Sequence, residues 1–376
     1  MIKDCVAVFD VCSSKISAMI GENGVNGNFV IRSVADVACE AFWDGEISDP
    51  DLLVSCLKNA FFAVTKTASV KVDAVYVSVG NQFLKTCNRE YEKTFSRRKK
   101  LRKRAVKAYL DEAQSSASLR LSDYEVIDRR GVFFNLDGKR RTEDLVGQST
   151  MSVRGYITYF LAKTDYLSLV RDVFSELGVK RVVFVPASIA EAYYLFSSDE
   201  RFSFRILLDV GYITTELSVI YGGGLLYTTA FPTGGGLISA ALCNGLNIDY
   251  ELADRLKRRV NLSSSSDFDG AYEVTYGDSV YTFSQKKVNG LVRSTISSLA
   301  EMVDNALERS NVKFPRDAVV HLTGGGLSNI RGAKEYLFEC IEMPVYIASP
   351  QLIYMSKPDE TSKVALLDFA LNRKGL

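Results

Sequence analysis

A two-lobed α/β protein carrying a small α+β insertion is the fold class that three observations on the sequence predict. Strand-like and helix-like segments alternate through most of the 376 residues. An apolar strand ending in aspartate, a small-residue turn with hydroxyls and a second apolar strand occur twice, as VAVFDVCSSKISAMIGENG near the N-terminus and as ILLDVGYITTELSVIYGG from residue 206. That repetition is the mark of an internal duplication. Between the copies, residues 83–160 change texture, gaining a dense run of cations and long alternating stretches.

Lobe I opens with CVAVFDV (5–11) and SKISAMIGE (14–22), a hairpin with Asp10 near its turn, and NFVIRSVADVA (28–38) adds a third strand. DPDLLVSCLKNAFFAVTKTA (49–68) is a helix, capped by Asp49, with Pro50 at N1 and Leu53, Leu57, Phe61 and Val64 at helical spacing. DAVYVSVG (73–80) alternates as a strand. Inside the insertion, SRRKKLRKR (96–104) reads as a solvated turn and helix start, AVKAYLDEAQSSAS (105–118) as a helix, and YEVIDRRGVFFNLDG (124–138) and TMSVRGYITYFLA (150–162) as strands. Lobe I resumes with the amphipathic helix KTDYLSLVRDVFSELG (163–178), stopped by Gly178, then VKRVVFVPASIAEAYYLF (179–196), a strand running into a helix. In lobe II, FRILLDVGYITTELSVIYGGGLLYTTAFPTGGG (204–236) gives three strands, SSSSD (263–267) a polar loop, and KKVNGLVRSTISSLAEMVDNALERSN (286–311) a long helix. DAVVHLTGGGLSNIRGAKEYLFECI (317–341) is strand, triple glycine, helix, and SKVALLDFALNRKGL (362–376) closes lobe I with Val364, Leu367 and Leu371 on one face. The expected division is lobe I over 1–82, 163–203 and 351–376, the insertion over 83–162, and lobe II over 204–350.

Forty-six Lys plus Arg against 45 Asp plus Glu leave a net charge of +1, which gives no general attraction to nucleic acid or membrane, so nucleic acid is not an expected partner and electrostatic function is local. Seven dispersed cysteines form no CxxC pair, and a single histidine, His321, does not suffice for a zinc site or a histidine-based triad, which points to a reducing cytoplasm. Asp4 and Asp10 interrupt the N-terminal apolar stretch, and no apolar run reaches the roughly 18 residues of a spanning helix.

The two Asp-ending hairpins set Asp10 and Asp209 facing one cleft, where two carboxylates call for a divalent cation between them and a polyphosphate. Ser13, Ser14 and the N–H groups of residues 11–15 suit phosphate oxygens, and Lys15 adds charge. TGGGLSNI (323–330) offers bare backbone for an adenine or ribose. Each piece alone is also an ordinary turn, a solvated lysine or loop punctuation; their order favours a nucleotide.

These three segments resemble the phosphate-1, phosphate-2 and adenosine motifs of the actin-like ATPase superfamily. The insertion placed directly after DAVYVSVG resembles the extra subdomain of the FtsA family of bacterial cell-division proteins; actin and MreB carry theirs elsewhere, and the pilus protein PilM is the rival. The resemblance implies a two-lobed actin-like ATPase fold and a cytoplasmic protein that binds ATP with Mg²⁺, self-associates into filaments and joins the tubulin-like protein FtsZ to the inner face of the cell membrane. Asp10, Ser13, Ser14 and Lys15 match phosphate-1, Asp209, Gly211, Thr214 and Thr215 phosphate-2, and Gly324, Gly325 and Gly326 the adenosine motif. Glu251 and the basic helix RLKRR (255–259) fall where relatives meet adenine and ribose, and Asp10 and Asp209 are the expected Mg²⁺ residues.

The chain departs from the family pattern at Cys12, where glycine is usual, at Tyr212 and Ile213 in the phosphate-2 turn, and at Glu216 in place of aspartate. A ring and a β-branched residue in that turn are expected to crowd a phosphate, so turnover is weak at most. The alternatives are a degenerate, nucleotide-free scaffold or a PilM-like pilus assembly protein. A sugar kinase of the superfamily comes third, because no further cleft aspartate presents itself as a base. Members of the family finish with a linker and an amphipathic membrane helix, whereas residues 362–376 read as a core helix. The cations of 97–104 then have two alternatives to a solvated face: an anionic membrane or an acidic partner.

Overall fold

In lobe I, β1 (Val6–Val11) and β2 (Lys15–Asn23) pair antiparallel with Asp10 opposite Ser17, and β3 (Phe29–Ala38) pairs with β2. The structure, a computed structural model, describes residues 5–24, 29–119, 121–263, 270–315 and 318–372. A short hairpin, β4 (Phe42–Trp43) and β5 (Glu46–Ile47), turns through Asp44 and Gly45, both at positive φ. α1 (Pro50–Ala68) starts as its sequence requires: the Asp49 carboxylate accepts the Leu52 N–H at 2.9 Å, and Leu53, Leu57, Phe61 and Val64 are buried. β6 (Ala74–Val79) then runs parallel to β1.

The inserted subdomain follows. β7 (Leu84–Lys100), α2 (Lys103–Ser116), β8 (Tyr124–Leu136), β9 (Arg140–Thr142) and β10 (Ser149–Lys163) build a four-stranded sheet in the order β7-β10-β8-β9. Val106, Tyr109, Leu110 and Ala113 of α2 share its core with Phe134, Val153, Ile157 and Leu161. The cationic run is therefore not a turn, since residues through Lys100 extend β7. That strand gave little signal because Cys87, Tyr91 and Phe95 on its inner face alternate with Arg89 and Lys93.

Lobe I continues through α3 (Thr164–Glu176), β11 (Arg181–Pro186), α4 (Ala187–Leu195) and α5 (Ser198–Arg201). Lobe II repeats the plan with β12 (Arg205–Val210), β13 (Thr215–Tyr221) and β14 (Gly224–Phe231), followed by α6 (Gly235–Leu246) and α7 (Tyr250–Lys257). A hairpin of β15 (Ala271–Tyr276) and β16 (Ser279–Ser284), which the sequence did not announce, leads into α8 (Gln285–Arg309). β17 (Val320–Thr323), α9 (Ala333–Ile341) and β18 (Val345–Ile347) complete the lobe. The two five-stranded sheets are ordered β3-β2-β1-β6-β11 and β14-β13-β12-β17-β18, so strand for strand they have one topology and the duplication is structural. Residues 264–267 of the polar loop, Asn28, Asp317 and residues 373–376 lie outside the described residues.

α10 (Thr361–Asn372) returns to lobe I and packs on α4, β1 and β2. It is the core helix expected, but its buried surface is broader than one face: Val364 and Leu367 are buried, and so are Ala365, Leu366 and Lys363, whose ammonium lies 3.3 Å from Asp36, while Leu371 is only half-buried. The insertion also leans on lobe II, against the turn Gly222–Gly224. A Cβ on Gly222 would lie 2.0 Å from the Val132 carbonyl oxygen, one on Gly223 2.5 Å from that of Gly131, and one on Gly224 2.7 Å from the Thr158 hydroxyl. These three glycines are what lets the sheets touch.

Candidate functional site

β1 and β12 each carry an aspartate one residue from their C-terminal end, so the duplication itself brings Asp10 and Asp209 to one interlobe cleft of about 280 Å³. Ser13, Ser14, Lys15, Gly211, Thr214 and Gly324–Gly326 line it as well, with Pro358, Asp359 and Ser362 from the segment that crosses back to lobe I.

The triple glycine is explained first by protein packing. Gly324 sits at φ +79°, and a Cβ there would come 2.0 Å from Asp209 Oδ1; a Cβ on Gly326 would come 2.1 Å from the Gly211 carbonyl oxygen. Replacing Gly324 by alanine is expected to destabilise the protein by at least about 2 kcal/mol through positive φ and that contact together. Gly290→Ala, in mid-α8 with nothing within 4 Å, is expected to stabilise it slightly. Urea denaturation of the pair separates site-specific strain from a general glycine effect.

Electrostatically the cleft is a cluster of acids. Asp10 accepts from the Ser362 hydroxyl at 2.9 Å and the Cys12 thiol at 3.2 Å. Burial, then the nearby Asp10 carboxylate, push Asp209 up to about 7; burial and Asp209 push Glu216 up to about 8. Glu191 on α4, missed from sequence, is almost fully buried behind them. Burial, then Asp209 and Glu216, push its carboxyl well above the usual carboxylate range; it shares a hydrogen bond with Asp209 and its Oε1 has no partner. Among the described residues no three ligating side chains form a complete metal site. Two crowded carboxylates on opposite lobes nevertheless fit the way Mg²⁺ is usually held, by one or two carboxylates plus phosphates and water.

In the phosphate-2 turn Tyr212 lines the cleft, as a residue that narrows it would, but without backbone strain. Neither Tyr212 nor Ile213 takes a positive φ. The Tyr212 ring is held against α7, its hydroxyl 2.7 Å from that of Tyr250 and its face 5.3 Å from the Lys257 ammonium. The turn is instead tied to the opposite lobe, because the Ile213 N–H donates to Ser13 Oγ at 3.2 Å. The N–H groups of Ser13, Ser14, Tyr212 and Thr214 make no hydrogen bond within the chain among the described residues.

Two expected residues stand apart from the lining. Thr215 is buried and donates to the Thr233 carbonyl at 2.6 Å; Glu251 lies in the first turn of α7 and pairs with Arg255. From the same basic helix it is Lys257 that reaches the cleft, bonded to Asp254 at 2.8 Å and to the Gly235 carbonyl at 3.0 Å. Lys15 shares its charge with Asp36 at 3.9 Å.

Comparison with known proteins agrees with this geometry. The family model described as cell division protein FtsA matches residues 206–365. Relatives described as cell division protein FtsA include one from Pseudomonas aeruginosa, 20% identical over 97% of this chain and 89% of the relative, and one from Bacillus subtilis, 23% identical over 96% and 82%. Among solved structures, the PilM-PilN type IV pilus biogenesis complex superposes with TM-score 0.65 at 16% identity, covering 98% of both chains. MreB5 of Spiroplasma citri bound to ADP does so with TM-score 0.58 at 14% identity, covering 98% and 96%. The chain is thus FtsA-like in sequence over nearly its whole length, and its fold is the two-lobed fold of the actin-like ATPases.

Proposed function

We propose that the cleft binds ATP with Mg²⁺ and that the protein is a nucleotide-responsive scaffold of bacterial cell division, self-associating in the cytoplasm and linking a tubulin-like FtsZ partner to the division machinery. The observation that carries this reading is the convergence of Asp10, Asp209, the unengaged N–H groups of the two serine- and threonine-bearing turns and the Gly324–Gly326 backbone on one interlobe cleft. Asp10 and Asp209 would hold the cation, Ser13, Ser14 and Thr214 would meet phosphate oxygens, and Lys257 and Gly325 flank the nucleoside end. Mg²⁺, when bound, neutralises part of the polyphosphate charge. Because the ligand touches both lobes, it favours whichever lobe angle satisfies both turns, and self-association follows that angle. Lobe I over 1–82, 163–203 and 351–376, lobe II over 204–350 and a partner-facing insertion over 83–162 are the parts this reading assigns. Turnover is at most weak, since burial and the neighbouring carboxylates push Glu191 well above the usual carboxylate range and Glu216 up to about 8.

Titration calorimetry tests it. ATP with Mg²⁺ is expected to bind the wild type and to give no heat with Asp209→Ala. No heat and no thermal shift for the wild type at millimolar nucleotide would leave the second reading, a nucleotide-free scaffold. The Ser13–Ile213 hydrogen bond favours that second reading, because it already satisfies one phosphate-facing donor.

A further inference from the structure

Residues 97–107 carry eight cations and no acid, while the whole chain has a net charge of only +1, so the remainder is net negative. The fold gathers this charge at one end of the inserted sheet and adds to it. The Arg98 guanidinium lies 3.0 Å from Asp137, whose other oxygen accepts from the N–H groups of Met151 at 2.8 Å and Ser152 at 3.0 Å. Gly147 and Gln148 exchange backbone hydrogen bonds with Leu101 at 2.7 Å, and Arg140 donates to the Gln148 side chain at 2.6 Å. The tip thus presents Arg97, Lys99, Lys100, Arg102, Lys103 and Arg104 together with Lys139 and Arg140, all exposed, although more than thirty residues separate the two groups in sequence.

Two features set these cations apart from an ordinary solvated face. Elsewhere on the subdomain many cations are matched, as Lys93 is with Glu112, Arg130 with Asp128 at 2.8 Å and Arg154 with Glu90 at 2.9 Å, and those without an ion pair among the described residues, such as Arg89 and Arg141, are scattered singly. Among the described residues, none of the eight tip cations has an ion pair. Three of them also occupy the start of α2, with Arg102 at the N-cap, no side-chain cap and no acid in the first turn. A helix N-terminus favours anions, so each cation there works against the helix. The tip lowers the stability of its own subdomain, and an external anion reverses that penalty.

We infer that this tip docks on an anionic phospholipid surface. Three observations favour lipid over other polyanions. The cations stand on strand ends, turns and a helix start, the projecting parts of the sheet rather than the walls of a groove. The aromatic ring within the run's own strand, Phe95, is half-buried against the subdomain core and carries Lys99 at 5.1 Å, so it is no free platform for stacking bases. The exposed large apolar side chain at this end is Met151, which suits the headgroup boundary. The charge asymmetry also orients the molecule, drawing the tip to the surface while the net-negative remainder is repelled. This goes beyond the nucleotide reading and does not depend on it, since the tip lies on the insertion, away from the cleft.

Vesicle co-sedimentation of the full chain without nucleotide tests the inference. The wild type is expected to bind phosphatidylglycerol–phosphatidylcholine vesicles at about 0.1 M salt, to ignore pure phosphatidylcholine, and to release at about 1 M salt, where the Debye length falls to about 3 Å. Glutamine at Arg97, Lys99, Lys100, Arg102, Lys103 and Arg104 is expected to raise the half-saturating lipid concentration at least about a hundredfold. Lys139→Gln with Arg140→Gln, which leaves the linear run intact, is expected to raise it on the order of tenfold. Wild-type binding by either variant, or equal binding to neutral vesicles, overturns the inference. So does capture by polyglutamate or a single-stranded oligonucleotide in the absence of vesicle binding.

Discussion

Arg201→Ala is expected to lower stability by about 3–5 kcal/mol, the scale for removing one member of a buried ion pair. Arg201, 4% exposed, is the point where three parts of the chain meet, and its guanidinium joins them. It donates to the Phe196 carbonyl of lobe I at 2.7 Å, to the Gly222 carbonyl of lobe II at 2.9 Å and to Glu143 of the insertion at 2.9 Å, and it stacks on the Tyr193 ring at 4.3 Å. Alanine leaves two buried carbonyls and a carboxylate without their donor. Arg201→Lys recovers little, because a point charge does not serve three acceptors at these angles. Glu143→Ala, at a more exposed position, is expected to lose less than half as much. Equilibrium denaturation of the three variants decides it; wild-type stability in Arg201→Ala would show that the junction does not hold the parts together.

Asp209→Asn is expected to stabilise the protein without nucleotide at pH 8 by a few kcal/mol while abolishing ATP binding. The sign follows from the acids of the cleft. Asp209 is pushed up to about 7 and Glu216 up to about 8, so between about pH 4 and 8 the folded state binds more protons than the unfolded state and stability falls as pH rises. A carboxyl whose titration folding displaces by one pH unit contributes about 1.4 kcal/mol. Carboxyls held low, such as Asp137 at about 2 with its hydrogen bonds from Thr150 and Met151, act in the opposite direction but only below that window. The wild-type melting temperature should therefore decline from pH 5 to pH 8, and the decline should be shallower in Asp209→Asn, where the repulsion on Asp10 and Glu191 is also relieved. A flat wild-type profile would mean the acids are ionised and solvated in the folded protein.

The sequence carried the organisation of this protein because its signals are local. The Asp49–Pro50 start of α1, the glycine stop at Gly178 and the paired apolar–Asp–turn–apolar segments are properties of neighbouring residues, and the two sheets of identical topology follow from them. Asp10, Ser13, Ser14, Lys15, Asp209, Gly211, Thr214 and Gly324–Gly326 were legible as cleft residues for the same reason: each sits at a strand end or turn whose position a duplicated fold specifies. β7 was not legible, because a strand on the edge of a small sheet needs only a thin apolar face. The hairpin of β15 and β16 was equally silent.

What only the tertiary structure decided depends on groups far apart in the chain. Glu191 reads as one more helical residue until folding buries it against Asp209 and Glu216. Tyr212 reads as a free ring until the hydroxyl of Tyr250, 38 residues on, fixes it at the cleft wall. The Gly222–Gly224 turn reads as punctuation until Val132 and Thr158 of another subdomain press on it, and the cations of 97–104 gain Lys139 and Arg140 only when β7 and β8 flank β10 and end at the same end of the sheet. Desolvation, steric contact and Coulomb repulsion act through space, whereas propensity and periodicity act along the chain, so the sequence by itself determined the elements and their order, and the folded structure determined which of their side chains are charged, covered or exposed.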